Sequence, residues 1–129
     1  MITLSNVAIR RITDAVLKGE RRSAEMLITW LGPTRMRALN RAHLGHDRTT
    51  DVISFALPAP DGRLVGDIYL CRSVAAAQAK AHGVPVREEL VRLVVHGTLH
   101  VLGHDHPEGE DRTRSPMWRR QERYVRRLR

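Results

Sequence analysis

His96 and His100 stand four residues apart in a stretch that is otherwise largely apolar, and His106 follows six residues later. On an α-helix, positions i and i+4 share a face, so the first two imidazoles meet at one point, as a first-row metal ion requires of a helical ligand pair. Between the second and third histidines stands Gly103. Glycine takes the left-handed conformation that ends a helix and turns the chain back, and here the turn delivers His104-Asp105-His106. The pattern H-x3-H-x5-H supplies three neutral nitrogen donors and leaves the fourth zinc position open, which distinguishes catalytic from structural zinc. No cysteine lies nearby, which disfavours a four-ligand structural zinc or an iron–sulfur cluster. One zinc ion per chain on His96, His100 and His106 is therefore expected. His104 and Asp105 stay open as rival third ligands or as groups that orient the ligands.

The helix that must carry the pair is expected over residues 86–102. Leu90, Val91, Leu93, Val94, Val95, Leu99, Val101 and Leu102 cover nearly its whole circumference, so it is central and buried. Arg92, His96 and His100 form its one polar stripe, and a polar stripe on a buried helix needs a reason. Arg92 is read as a partner of Glu88, four residues earlier. Before this helix, Ser5 can cap a first helix whose apolar residues Val7, Ile9, Ile12, Ala15, Val16 and Leu17 recur until Gly19. A strand is expected over 26–31, then a short helix opened by Gly32 and Pro33 and running to about His43. Strands over 52–57 and 64–71 form a hairpin through the Asp61-Gly62 turn. Ser73 is read as the cap of an alanine-rich helix over 74–82, closed by Gly83. A terminal helix covers 117–129, with Met117, Trp118 and Tyr124 as packing residues and its arginines as a solvated or RNA-contacting face. This order is no clean βαβ alternation; it predicts an α+β fold, a small mixed β-sheet packed with helices around a central His-bearing helix.

A chain of 129 residues fits one domain, with no repeat or linker to divide it. Lys plus Arg total 22 against 14 Asp plus Glu, a formal charge of +8, so polyanions are the favoured partners. Aromatic residues are only 4%, too few for an extended base-stacking platform, and RNA contact should be mainly electrostatic. Cys71 is the single cysteine, so no internal disulfide forms and nothing points to an oxidising compartment. No segment is suited to span a membrane and the N-terminal stretch does not resemble a secretory signal, so a cytoplasmic location is expected.

The string His96-Gly97-Thr98-Leu99-His100-Val101-Leu102-Gly103-His104-Asp105-His106 resembles the signature of the YbeY family of rRNA-maturation endoribonucleases. The resemblance extends to Leu39-Asn40, to 50–55, to Gly66-Asp67-Ile68, and to Met117 with Glu122, and so covers most of the chain. It implies zinc held by His96, His100 and His106, and cleavage of single-stranded rRNA in maturation of the 16S 3′ end and in ribosome quality control. The implied partners are the small ribosomal subunit and its assembly proteins. Two positions depart from the family pattern. Where the family usually carries an arginine, this chain has Leu44, which leaves Arg41 or Arg48 as the phosphate contact. Where the family favours tyrosine before the Asp-His pair, this chain has His104.

The chemistry expected is metal-assisted hydrolysis by a zinc-bound water, or polarisation of a nonbridging phosphate oxygen, with arginines neutralising the charge that develops on phosphorus. Two other classes compete. Metzincin proteases share the ligand spacing, but they place a glutamate directly after the first histidine as general base, and that position is Gly97 here. A metal-stabilised rRNA-binding assembly factor would use the zinc for folding and the arginines for phosphate binding, without cleavage. Asp51 and Asp67 flank strands and are read as substrate contacts or as local caps and partners.

Overall fold

Ser5 caps the first helix as its place before the apolar repeat predicts: its hydroxyl oxygen accepts a hydrogen bond from the Ala8 amide at 3.1 Å. The computed structural model describes residues 4–107 and 109–129. Along the chain run α1 (Asn6–Glu20), β1 (Glu25–Trp30), α2 (Pro33–Leu44), β2 (Val52–Pro58), β3 (Leu64–Leu70), α3 (Arg72–His82), α4 (Val86–Val101), a 3-10 turn (Gly109–Arg114) and α5 (Pro116–Leu128). The α+β class and the order of helices and strands are those expected. Two features differ. Cys71, and not Ser73, occupies the cap position of α3, and the Ser73 hydroxyl lies within the first turn, 3.5 Å from the Cys71 sulfur. The 3-10 turn was not foreseen, because its residues are polar and show no apolar period.

The sheet has the order β1-β3-β2, with β1 parallel to β3 and β2 antiparallel to it. The expected hairpin is therefore present, and Gly62 takes the positive φ of 85° that its turn needs. Central strand β3 buries Ile68 and Leu70 completely. Helix α4 packs against β2 and β3, with α1, α3 and α5 gathered around it, so it is the hub that its all-round apolar sequence requires. Leu90, Val91, Val94, Val95 and Leu99 are fully buried, and each such side chain contributes about 1.5–3 kcal/mol of burial energy.

Gly97 sets how closely α4 approaches the sheet. A Cβ at this position would stand 3.0 Å from the Ile68 Cδ1 of β3, closer than packed carbons normally come. Position 97 thus faces the sheet, and the histidines on either side of it along the helix are free to face elsewhere. Any side chain here would push the His-bearing helix outward.

Candidate metal centre

The last turns of α4 present His96 and His100 together, and the chain then reverses. Leu102 closes the helix and Gly103 adopts a φ of 96°. The Gly103 amide donates to the His100 carbonyl and the His104 amide to the Leu99 carbonyl, both at 3.0 Å, so the reversal is hydrogen-bonded. It brings His106 back over the helix. One nitrogen from each of His96, His100 and His106 lies within 4.8 Å of the others, and among the described residues this is the group able to hold a metal ion. Ring centroids are 4.6 Å apart for His96 and His100, 5.1 Å for His96 and His106, and 5.0 Å for His100 and His106. His96 is the deepest, at 8% exposure.

A buried hydrogen-bond chain fixes which nitrogen of His96 carries its proton. Arg92 grips Glu122 through Nε and Nη2, both at 2.9 Å, and also reaches Glu88 and Glu89 at 3.1 Å. These contacts, Glu122 first, hold the guanidinium above its ordinary pKa. The ionised Glu122 can only accept, so the Gln121 amide must turn its NH2 toward it, at 3.1 Å. The Gln121 Oε1 is then left facing His96 Nδ1 at 2.7 Å, and the ring nitrogen must be the donor. His96 Nε2 keeps its lone pair. Likewise, His106 Nδ1 lies 3.0 Å from the Pro107 carbonyl, an acceptor, which again leaves Nε2 basic.

Charge state agrees with tautomer. Burial pushes the His96 pKa down to about 4, outweighing the Gln121 hydrogen bond that would raise it. Burial, and then the nearness of His106, also lower His100. Near pH 7 both rings are neutral, so protons do not compete with a metal for them. Three converging imidazoles with no thiolate match the donor set of an open zinc site.

The neighbouring residues separate cleanly. His104 does not join the imidazole group: its Nε2 lies 2.7 Å from Glu20 Oε1 at the end of α1. Glu20 also accepts from the Tyr124 hydroxyl at 2.6 Å and from Arg120 at 3.1 Å. Burial alone would raise the Glu20 carboxyl, but hydrogen bonds from Tyr124, His104 and Arg120 outweigh it and hold the pKa below its usual value. The extra histidine thus ties the loop that carries His106 to α1 and, through Glu20, to α5. Asp105 accepts from the His106 amide at 2.8 Å and shapes the turn.

Before the imidazoles opens a cavity of about 440 Å³, with Leu44, His46, Arg48, Ser54 and Arg112 among its walls. Of the two arginines weighed against Leu44, Arg48 lines this space and Arg41 does not. The buried Asn40 amide donates to the Arg48 carbonyl at 2.8 Å and so positions that segment. Arg112, from the unforeseen 3-10 turn, is a second wall cation that the sequence did not single out. Asp51 lines the cavity too and accepts from the Thr50 hydroxyl, whereas Asp67 pairs with the Tyr69 hydroxyl at 2.8 Å. Gln121 was also missed. The signal was present: it is a neutral amide, 1% exposed, on the core face of an arginine-rich helix between Met117 and Val125.

The model of the family described as Endoribonuclease YbeY matches residues 3–129. A protein named Endoribonuclease YbeY from Desulfitobacterium hafniense (strain Y51) is 41% identical over 95% of this chain and 83% of its own. Another of that name, from Sulfurihydrogenibium sp. (strain YO3AOP1), is 38% identical over 80% of this chain and 70% of its own. Among solved structures, the solution structure of TM1509 from Thermotoga maritima superposes with a TM-score of 0.65 at 27% identity, covering 93% of this chain and 78% of that one. The histidine signature and the three-imidazole geometry are accompanied by similarity along the whole chain, and the chain belongs to the YbeY endoribonuclease family.

Proposed function

We propose that this protein is a zinc-dependent endoribonuclease that cuts single-stranded RNA in the maturation and quality control of small-subunit rRNA in the cytoplasm. The observation that carries the proposal is the convergence of His96, His100 and His106 on a cavity walled by Arg48 and Arg112. When bound, zinc supplies Lewis acidity toward a phosphate oxygen or a water molecule. The chain's own residues do the rest. Gln121 and the Pro107 carbonyl hold the ring protons of His96 and His106 on the side away from the site. Arg48 and Arg112 bind the phosphate and offset the charge that grows on it. A strand whose bases are unpaired can bend into the recess where His96 lies; a stiff duplex presents its phosphates on a convex surface and does not reach it.

The likeness in ligand spacing to proteases ends at Gly97, which meets Ile68 of the sheet and leaves no room for a general base. Relatives named as endoribonucleases support RNA as substrate. The test is to strip the protein with a chelator, restore zinc, and offer labelled single-stranded rRNA fragments alongside duplexes of the same sequence. Zinc should restore cutting of the single strand and leave the duplex intact. A 2′,3′-cyclic phosphate on the product would identify the RNA's own 2′-hydroxyl as the attacking group. Fully metallated protein that binds RNA without cutting it would instead make the chain a non-catalytic assembly factor.

A further inference from the structure

A second cavity, of about 580 Å³, lies behind the metal centre. It shares Leu93, His96 and Arg112 with the arginine-walled cleft, so the two cavities adjoin at these residues. We propose that this second chamber takes one unpaired nucleobase of the RNA strand, stacked on Trp118, while the adjoining phosphate lies in the cleft beside His96. The proposal rests on the nuclease reading above and adds a base-binding subsite to it.

Size, aromatic content and charge point to that occupant. The volume falls within the range of sites that enclose small organic groups. Met117 and Tyr124 are buried in the core as expected, but Trp118, one residue on from Met117, is turned about 100° around the helix and lines the chamber instead. The Arg112 guanidinium sits 5.5 Å over the Trp118 ring, so the residue that lines the phosphate cleft also lies over one face of the indole, and a base stacks on the other face or on the guanidinium plane. Stacking on tryptophan or on an arginine plane is how proteins hold splayed-out RNA bases.

The chamber offers a second phosphate less than the cleft does. Glu89 and Arg92 line it, and Arg92 is already bonded to the three carboxylates Glu88, Glu89 and Glu122. With Arg92 held by these carboxylates, Arg112 is the arginine of the wall left for a phosphate, and it is shared with the cleft; the Glu89 carboxylate can accept N–H groups of a base edge. Gln78 adds an amide with both donor and acceptor capacity. Among the described residues, neither the Gln78 amide nor the Trp118 indole N–H has a hydrogen-bond partner. The nucleotide then lies with its phosphate toward Arg48 and Arg112 and its base toward Trp118, Gln78 and Glu89.

The test walks a single modification along a labelled single-stranded RNA whose cut site has been mapped with zinc-loaded protein. An abasic residue at the one position next to the cut should lower kcat/KM between about 5-fold and 150-fold, the range of base–aromatic stacking, and abasic residues elsewhere should have little effect. Trp118→Ala should bring that ratio toward one, and Trp118→Phe, which keeps a ring, should restore most of it. In a second readout, 2-aminopurine at the same position should be quenched on mixing with wild type, before any cutting, and not with Trp118→Ala. Equal cutting of abasic and intact RNA, or undiminished discrimination by Trp118→Ala, would overturn the subsite. If the wild type cuts no RNA at all, the nuclease reading fails separately; position-specific, Trp118-dependent quenching would then still support the chamber as a base site, and no quenching would overturn it.

Discussion

Burial keeps the His96 ring neutral and the Gln121 amide fixes its tautomer, and both can be measured. Its pKa is lowered from 6.5 to about 4, so between those values the unfolded chain binds a proton that the folded chain refuses. The sign follows: unfolding free energy rises with pH across this window and falls as pH drops through it. Metal-free protein should lose on the order of 3 kcal/mol from this group between about pH 6.5 and pH 4 in denaturant titrations. Glu20, held low, adds a separate loss only within the carboxylate range below its ordinary 4.5. Stability that stays flat down to pH 5 would contradict the buried neutral His96. Replacing its partner tests the tautomer: Gln121→Leu, close in volume, should weaken zinc binding 10- to 100-fold in competition with a chromogenic chelator. The convergence of His96, His100 and His106 was legible in the sequence because helical spacing and a helix-ending glycine are local signals. Gln121 was not singled out, because its meaning depends on two helices meeting, although an amide in an apolar stripe marks it in hindsight.

Helix α4 shows how an element can be read from its composition while its closest contact cannot. Its all-round apolar sequence announced a buried hub, and its turn at Gly103 was expected from the glycine alone. Gly97 was weighed only as the absence of a catalytic glutamate; the structure adds that it lies against Ile68. Alanine there should gain up to about 1 kcal/mol of helix propensity and lose about 1–3 kcal/mol to overpacking. The expected net is a loss of roughly 1 kcal/mol, a melting temperature lower by about 3–5 °C in calorimetry, with zinc binding weakened as α4 shifts. A stabilised Gly97→Ala would show that the helix has slack against the sheet. The cap of α3 escaped sequence reading because the helix starts on buried Cys71 with no side-chain cap hydrogen bond, and the 3-10 turn because its polar residues carry no apolar period.

Across the whole molecule the formal charge of +8 sets the strength of nonspecific attraction to RNA, and the cleft sets where that attraction counts. Affinity for single-stranded RNA should fall linearly on a log–log plot against salt, with each phosphate contact contributing about 0.7 to the slope. Arg48→Ala and Arg112→Ala should each reduce the slope by about that amount, while Arg41→Ala, outside the cleft, should leave it nearly unchanged; filter binding at several salt concentrations reads all three. The α+β class was legible from element order, since hairpin and hub helix were both signalled, but the placement of Arg48 over Arg41 needed the fold, which turns one into the cavity and the other away. None of the helices among the described residues is long and apolar enough to cross a membrane. The most direct measurement of the central claim is cleavage of a labelled single-stranded rRNA fragment by zinc-loaded wild type, His96→Ala and His100→Ala, with metal content determined on the same samples. Stoichiometric zinc and cutting in the wild type, with both lost together in each variant, is the predicted result; a variant that cuts RNA without bound metal, or a fully metallated wild type that does not cut, would contradict it.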